Sequence, residues 1–120
     1  KGLIMTTEAI QRLAARKLYG GDGNAPSYMD QEVLSWSPEK ITLKTYDLFL
    51  LSGKKNDVNK MNRVLIELMG SLNFDYEEPA TRLYRLYEFC QRCIMQRNYD
   101  VPIRIIQELR DTWAKAHSLE

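Results

Sequence analysis

The chain has 120 residues, which corresponds to one domain with a modest hydrophobic core. Its composition, 44% hydrophobic and 28% charged, is typical of a folded protein that stays in solution. With 17 basic and 16 acidic residues, the formal net charge of +1 gives no support to a nucleic acid or an anionic membrane as the main partner. No apolar run is long enough to cross a membrane, and the first residues lack the apolar core of a signal peptide.

The first predicted element is a short helix at residues 7–19, within "TTEAIQRLAARKLYGG". A threonine provides its N-cap and a glycine pair ends it. The following "GGDGNAP" is typical of a flexible linker. We therefore divide the chain into residues 1–26, a helix with its Gly-rich linker, and residues 27–120, an arm with a helical bundle. The sequence leaves three arrangements of this first helix open. It folds back on its own bundle, it pairs with a second copy of the chain, or it binds a separate partner.

The arm, "SYMDQEVLSW", holds apolar residues without clear helical regularity and leads into a well-marked helix start. Ser37 is predicted as the N-cap and Pro38 as the first helical residue. Glu39 places a negative charge in the first turn, where the helix dipole favours it. The helix continues through "EKITLKTYDLFLLS" and is expected to end near Gly53.

Three further helices are predicted after polar turns. The second runs through "DVNKMNRVLIELMGSLN" with Asn56 or Asp57 as its cap, the third through "PATRLYRLYEFCQRCIMQR", and the fourth through "VPIRIIQELRDTWAKA". Apolar residues recur on each at three- and four-residue spacing. These stripes are Val58, Met61, Leu65, Leu68, Met69 and Leu72; Leu83, Leu86, Tyr87, Cys90, Cys93 and Ile94; and Pro102, Ile105, Ile106, Leu109, Trp113 and Ala116. No segment of useful length alternates with period two, so we predict an all-α protein: an antiparallel up-and-down four-helix bundle with an additional short N-terminal helix and arm.

The apolar residues exceed what one buried stripe per helix requires. Ile41 and Leu48 share one side of the first bundle helix. Leu43, Tyr46 and Leu50 lie on a nearly opposite side. Further apolar residues off the stripes are Ile66, Tyr84, Phe89, Met95 and Ile103. Two interpretations stay open: the first helix is central to the bundle, or an outer groove accepts an amphipathic partner.

No motif indicates catalysis, a metal or a cofactor, so an enzyme is not predicted. His117 has no serine or cysteine at a motif spacing, and "GGDGN" follows no strand and lacks the GK[ST] of a phosphate loop. Cys90 and Cys93 lie three apart, hence on one helix face, and without a second CxxC they are interpreted as reduced core cysteines rather than zinc ligands. The basic residues of the third helix are interpreted as a solvated face rather than a nucleic-acid surface: Arg82, Arg85, Arg92 and Arg97.

Several motifs together resemble the FliS family of flagellin export chaperones. The helix start "WSPEKITLKTYD" resembles that of the family, and "IELMGSLN", "LYRLYEFCQRCIMQRN" and "ELRDTWAKA" are similar to its later motifs, in the same order. The match covers roughly residues 28–117, with Tyr28 in the place of the family's arm tyrosine. Three features depart from the family: Trp36 replaces a small residue, the first hairpin is about two turns shorter in each arm, and the segment before Tyr28 is longer.

The resemblance implies a chaperone of the bacterial cytosol that serves flagellar type III secretion without a cofactor. Its client would be the C-terminal helical segment of flagellin, held against the bundle to prevent premature polymerisation. In the family the arm can cover part of the client surface, and Trp36 predicts that the arm is held more firmly here. The predicted contact residues are Tyr28, Met29, Val33, Leu34, Leu43, Tyr46, Leu50, Ile66, Tyr84 and Met95.

Other partners are compatible with the same sequence. Export-gate or flagellar regulatory proteins are further candidates, and self-association stays open. Because the first hairpin is short and an extra N-terminal helix is predicted, the alternative is a non-catalytic helical adaptor or regulatory protein with a different client. Neither nucleic-acid binding nor membrane insertion is expected.

Overall fold

Four helices make up most of the chain that the computed structural model describes, namely Glu32 and residues 35–119. They are α1 (Pro38–Lys54), α2 (Val58–Gly70), α3 (Glu77–Met95) and α4 (Asp100–Ala116). No strand occurs in this described part, so the all-α prediction is confirmed. The predicted N-terminal helix at residues 7–19, the linker and most of the arm lie outside the described residues.

The starts of α1 and α2 follow from capping residues that the sequence shows. The Ser37 hydroxyl accepts a hydrogen bond from the Lys40 backbone N–H at 3.1 Å, and Pro38 is the first helical residue. Asp57, rather than Asn56, caps α2 by accepting from the Lys60 N–H at 3.1 Å. Both predicted starts are therefore confirmed, and the ambiguity at α2 is resolved.

Three helices end in a left-handed residue that is not glycine. Asn56, Arg97 and Ser118 have φ angles of 57°, 60° and 55°. After α3, the Asn98 N–H bonds to the Cys93 carbonyl at 2.8 Å and the Arg97 N–H to the Ile94 carbonyl at 2.9 Å. This pattern is a Schellman motif, which satisfies the last carbonyls of the helix, and it recurs after α1 and α4. Gly53, which lies inside α1, is thus not what ends that helix.

The four helices form a ring in which each helix packs against two others. The pairs in contact are α1 with α2, α2 with α3, α3 with α4, and α4 with α1. Trp113 near the end of α4 reaches Glu39 at the start of α1, as expected for antiparallel neighbours. The predicted up-and-down bundle is confirmed for the described residues.

Helix α1 uses its broad apolar surface within the bundle. Ile41, Leu43 and Phe49 are all buried although they point to different sides of the helix. Helix α1 packs against α2 and α4, but every helix of the ring has two such neighbours, so this packing does not make α1 more central than the others. Phe49 belongs to the core cluster that the four helices share, whereas Ile41 and Leu43 do not, and Leu51 is the large apolar residue of α1 that stays exposed.

The predicted stripe of α4 needs two corrections. Ala116 is exposed and Ala114 is fully buried instead. Ile103, predicted off the stripe, packs against the core and lies beside Gly53. Both errors have one cause. Helix α4 packs between α1 and α3, so its buried face points between these two neighbours instead of following a single stripe. Helix α2 also ends at Gly70, three residues before the predicted Asn73.

Candidate functional site: an apolar cleft at one end of the bundle

A cleft of about 340 Å³ lies at the end of the bundle where α1 begins and α4 ends. We call it the end cleft. Its lining is mostly apolar and comes from all four helices and the α2–α3 turn, and it consists of Thr42, Tyr46, Leu68, Ser71, Leu72, Asn73, Tyr76, Pro79, Ala80, Leu83, Tyr87 and Trp113. The volume lies within the range of sites that take a small molecule or a few side chains. None of the lining residues carries a charge at neutral pH.

Two tyrosines join opposite helices beside the cleft. The hydroxyl oxygens of Tyr46 in α1 and Tyr87 in α3 are 2.7 Å apart and hydrogen-bonded. The two residues are only 3% and 2% exposed. Burial raises the pKa of Tyr46, and burial together with the neighbouring Tyr46 raises the pKa of Tyr87 well above its usual value. Both side chains are therefore neutral hydrogen-bonding groups at physiological pH.

The wall that α4 contributes is fixed by polar contacts with α1. The Trp113 indole N–H donates to the Glu39 carbonyl oxygen at 2.8 Å. About two turns farther along α1, the Arg110 guanidinium donates to the Asp47 carboxylate at 2.8 Å. This hydrogen bond raises the pKa of Arg110, which is already charged at any relevant pH. The two contacts set the position of α4 against α1 at the cleft.

Exposed aromatic residues stand next to the cleft. Tyr76 lines it and is 68% exposed. Phe74 and Tyr84 are also exposed, and their ring centroids are 6.2 Å apart. We call Phe74, Tyr76 and Tyr84 the aromatic rim. Large apolar groups exposed together beside an apolar cleft are typical of a docking surface rather than of an ordinary solvated face.

The structure separates the ten predicted contact residues into several groups. Tyr46 is the one that lines the cleft, and Tyr84 belongs to the rim. Leu43 is buried, and Leu50 is half-buried against the core. Ile66 and Met95 are exposed on α2 and α3 but do not line the cleft. Four of the ten lie outside the described residues: Tyr28, Met29, Val33 and Leu34.

Sequence reasoning did not single out two residues of this surface, Phe74 and Tyr76. Both lie in the α2–α3 turn, in the stretch "FDYEEP". The available signal was two aromatic residues in an otherwise polar, acidic turn, where apolar side chains have no core to join. Trp113, Leu83 and Leu72 were assigned to core stripes, and the structure shows them half-buried at the cleft.

The two cysteines and the arginines of α3 form no separate site. Cys90 and Cys93 are free and buried, and burial, with a smaller effect of Cys93, raises the pKa of the Cys90 thiol to about 12. No group of three potential ligand side chains that could hold a metal ion occurs in the described part of the chain. Arg82 pairs with Glu78 at 3.2 Å and Arg92 with Glu88 at 3.9 Å, so acids on the same helix offset part of the basic charge.

Fold and cleft together define a class: a helical bundle with an uncharged apolar docking surface at one end. None of the described helices is both long and apolar enough to span a membrane. The family model of the flagellar protein FliS matches residues 50–120, more than half of the chain. The chain therefore belongs to the FliS family, whose members are flagellar export chaperones rather than enzymes. Comparison with curated proteins and with solved structures gave no match.

The motifs that carried the resemblance meet in space. Tyr46 of the first motif bonds to Tyr87 of the third. Asp47 of the first motif bonds to Arg110 of the last, and Trp113 of the last motif bonds to the Glu39 carbonyl. Residues of separate motifs thus hold the helices together around the end cleft. The first of these motifs precedes residue 50, where the family match begins, and the other two lie within the match.

Proposed function

We propose that this protein is a cytosolic flagellar secretion chaperone that binds the C-terminal helical segment of flagellin and prevents its polymerisation before export. Membership of the FliS family supports a chaperone role. The observation that carries the finer proposal is the uncharged end cleft of about 340 Å³ with the aromatic rim beside it. A client helix that is amphipathic places apolar side chains at three- and four-residue spacing, and such anchors fill a cleft of this kind.

The proposed docking surface consists of the end cleft and the aromatic rim. Among the predicted contact residues, Tyr46 and Tyr84 adjoin it. Ile66 and Met95 remain proposed as contacts of a client that extends along α2 and α3, since both are exposed. Covering this apolar surface and that of the client removes both from water, which provides the driving force for binding.

The test is a calorimetric titration of the whole chain with a peptide of the C-terminal 40 or so residues of a flagellin from the same organism. We expect one peptide per chain. Tyr76→Ala should weaken binding about tenfold, because a large aromatic anchor in an interface contributes more than about 1 kcal/mol. Tyr76 is 68% exposed, so the change should leave the fold intact.

Phe89→Ala is the matched control for that experiment. Phe89 is an exposed aromatic residue of α3 that does not line the cleft, and it lies beneath the Arg92 guanidinium at 5.9 Å. Its removal should leave the affinity unchanged. If no peptide binds the unaltered chain, or if both variants weaken binding equally, the proposal of flagellin binding at the end cleft is wrong.

The arm around Tyr28 is proposed to be a removable lid of the client surface. The chain that precedes α1 enters at the cleft end, since Thr42 lines the cleft and the Glu39 carbonyl is bound by Trp113. Trp36 is buried, with the ammonium groups of Lys40 and Lys44 at 5.9 and 5.5 Å from its ring centroid. This anchoring supports the expectation that the arm is held firmly at its end.

A chain that starts at Ser37 tests the lid. If the arm competes with the client, the shortened chain should bind the flagellin peptide several-fold more tightly than the whole chain. Circular dichroism establishes that the bundle is intact in the shortened chain. Equal affinities would reject the lid while leaving the proposed client in place.

A second candidate is an adaptor or regulatory protein with another client. It is favoured by the extent of the family match, which leaves residues 1–49 outside. The proposed separate segment at residues 1–26 would then contribute its own contacts. Purification from a flagellated source decides between the two, because a flagellin chaperone should retain flagellin at about one molecule per chain.

A further inference from the structure

The Tyr46–Tyr87 pair has one more hydrogen to donate than it uses. Each phenol carries one hydroxyl hydrogen, and the single bond between the two oxygens, 2.7 Å long, uses one of them. Neither hydroxyl makes another hydrogen bond within the described part of the chain. A buried donor that lacks an acceptor costs free energy, so an acceptor that reaches this pair is bound favourably.

The pair supplies the buried donor of the end cleft. Both tyrosines line it. Two other polar residues of the lining are already engaged: the Ser71 hydroxyl donates to the Leu68 carbonyl at 3.0 Å, and the Asn73 side-chain oxygen accepts from the Asp75 N–H at 2.9 Å. Ligand sites commonly combine an apolar lining with a few fixed polar groups that determine orientation.

The acceptor that fits this site is neutral. No lining residue is basic, so an anion in the cleft would lose its hydration without gaining a cation. Burial raises the pKa of both tyrosines, which keeps the hydroxyl hydrogens in place at neutral pH. An uncharged carbonyl oxygen accepts a hydrogen bond without introducing a charge, and it therefore suits the pair better than a carboxylate.

We propose that the end cleft recognises an apolar group next to a neutral carbonyl oxygen, to which the Tyr46–Tyr87 pair donates its second hydroxyl hydrogen. This inference rests on the proposed function in taking the ligand to be a helical client segment. Within a helix the backbone carbonyls already accept hydrogen bonds, apart from those of the last turn. The carbonyl that a helix face offers is therefore the side-chain amide of an Asn or Gln, one turn from an apolar anchor.

Small probes test the chemistry without any client. The whole chain is titrated with three ligands, and binding is followed by nuclear magnetic resonance. The ligands are acetophenone, ethylbenzene, which lacks the carbonyl oxygen, and the anion phenylacetate. The indole N–H signal of Trp113 should shift because Trp113 lines the cleft, whereas that of Trp36, which does not, reports on binding elsewhere. Acetophenone should bind, and phenylacetate should bind at least about fivefold more weakly.

The double variant Tyr46→Phe with Tyr87→Phe isolates the hydrogen bond. It removes both hydroxyls and keeps both rings, a change that is nearly neutral for stability when both partners become apolar. The ratio of the dissociation constants of acetophenone and ethylbenzene should rise about fivefold, the equivalent of one ordinary hydrogen bond. Each single variant retains one hydroxyl, so the two single variants show which hydroxyl the carbonyl oxygen of the probe can reach. Tyr99→Phe is the control, since Tyr99 directly precedes α4 at the opposite end of the bundle and does not line the cleft, and its ratio should not change.

Three results would overturn the inference: an unchanged ratio in the double variant, equal binding of phenylacetate and acetophenone, or no shift of Trp113 with either neutral probe. These outcomes are separate from failure of the proposed function. If a flagellin peptide binds while the ratio of the probe dissociation constants stays unchanged in the double variant, only the proposed hydrogen bond is rejected. If that ratio rises as expected and no flagellin peptide binds, the chemistry of the site is supported and flagellin is rejected as its ligand.

Discussion

The two ends of the bundle are built differently. At the end where α1 begins, the four helices leave a cleft of about 340 Å³ with Tyr76 and Trp113 in its lining. At the opposite end, α1 and α4 approach so closely that a Cβ atom on Gly53 would lie 2.9 Å from Cδ1 of Ile103. We call this tightly packed end the closed end, in contrast to the end that presents the apolar cleft.

The largest effect concerns how far the cleft reaches into the bundle. Cys90 lies one turn beyond Tyr87 toward the closed end, and burial raises its thiol pKa to about 12. In a Cys93→Ala variant at pH 8, Cys90 should react with iodoacetamide several hundredfold more slowly than in the urea-unfolded chain, because burial, the larger cause of the raised pKa, remains and leaves little thiolate. As the pH rises toward 12 the thiol loses its proton, so the rate should increase. Equal rates in the folded and unfolded chains would mean that the cleft continues into the closed half.

Filling the space at each end should have opposite consequences. Gly53→Leu should destabilise the protein by about 3 kcal/mol, since the side chain must displace Ile103 and separate α1 from α4. Gly70 is the matched position near the cleft end, because nothing lies within 4 Å of an added Cβ there. Gly70→Leu should be neutral or stabilising by up to about 1 kcal/mol. Urea unfolding of both variants measures the difference, and equal destabilisation would contradict the contrast between the ends.

The wall of the cleft should depend on the indole of Trp113. Trp113→Phe removes the hydrogen bond to the Glu39 carbonyl and leaves that oxygen without this donor, which should cost about 2 kcal/mol. Thermal unfolding measures the loss of stability, and the probe titration reports on the cleft. His117, whose ring centroid lies 4.2 Å from that of Trp113, provides the control: His117→Ala should cost well under about 1 kcal/mol because this residue is exposed.

The smallest effect belongs to the turn at the closed end. Arg97 adopts a left-handed conformation with φ 60°, which glycine adopts without strain. Arg97→Gly should raise the free energy of unfolding by about 1 kcal/mol. Asn56→Gly should gain less, since asparagine tolerates this conformation better than arginine. A loss of stability in Arg97→Gly, measured by urea unfolding, would show that the side chain itself contributes to the closed end.

Sequence patterns predicted the helices and their starts well. Ser37 and Pro38 mark the beginning of α1 because capping depends on neighbours within one turn. The stripes of α2 and α3 predicted buried residues because each lies on one face of its helix. The prediction failed for Ala116 and Ile103, where two neighbours rather than one determine the buried face of α4.

The candidate site was predicted less well for a related reason. Tyr46 was identified as a surplus apolar residue, but nothing local indicated that its hydroxyl meets that of Tyr87, 41 positions away. The sequence also predicts the end of α2 three residues later than observed, and it marks Phe74 and Tyr76 only as part of the break between two helices. Whether an apolar residue joins the core or lines a cleft depends on the space between helices, and spacing along one helix does not contain that information.

By itself the amino-acid sequence determined the all-α class, the four bundle helices, the N-caps of α1 and α2 and the resemblance to the FliS family, because helical periodicity and capping act over a few residues. Only the tertiary structure decided which motif residues meet, as Asp47 and Arg110 do across 63 positions. It also decided that the cleft forms at one end of the bundle and that Gly53 brings α1 and α4 together at the other. The physical reason is that packing joins residues far apart in the chain, and the shape left between four helices depends on all of them at once.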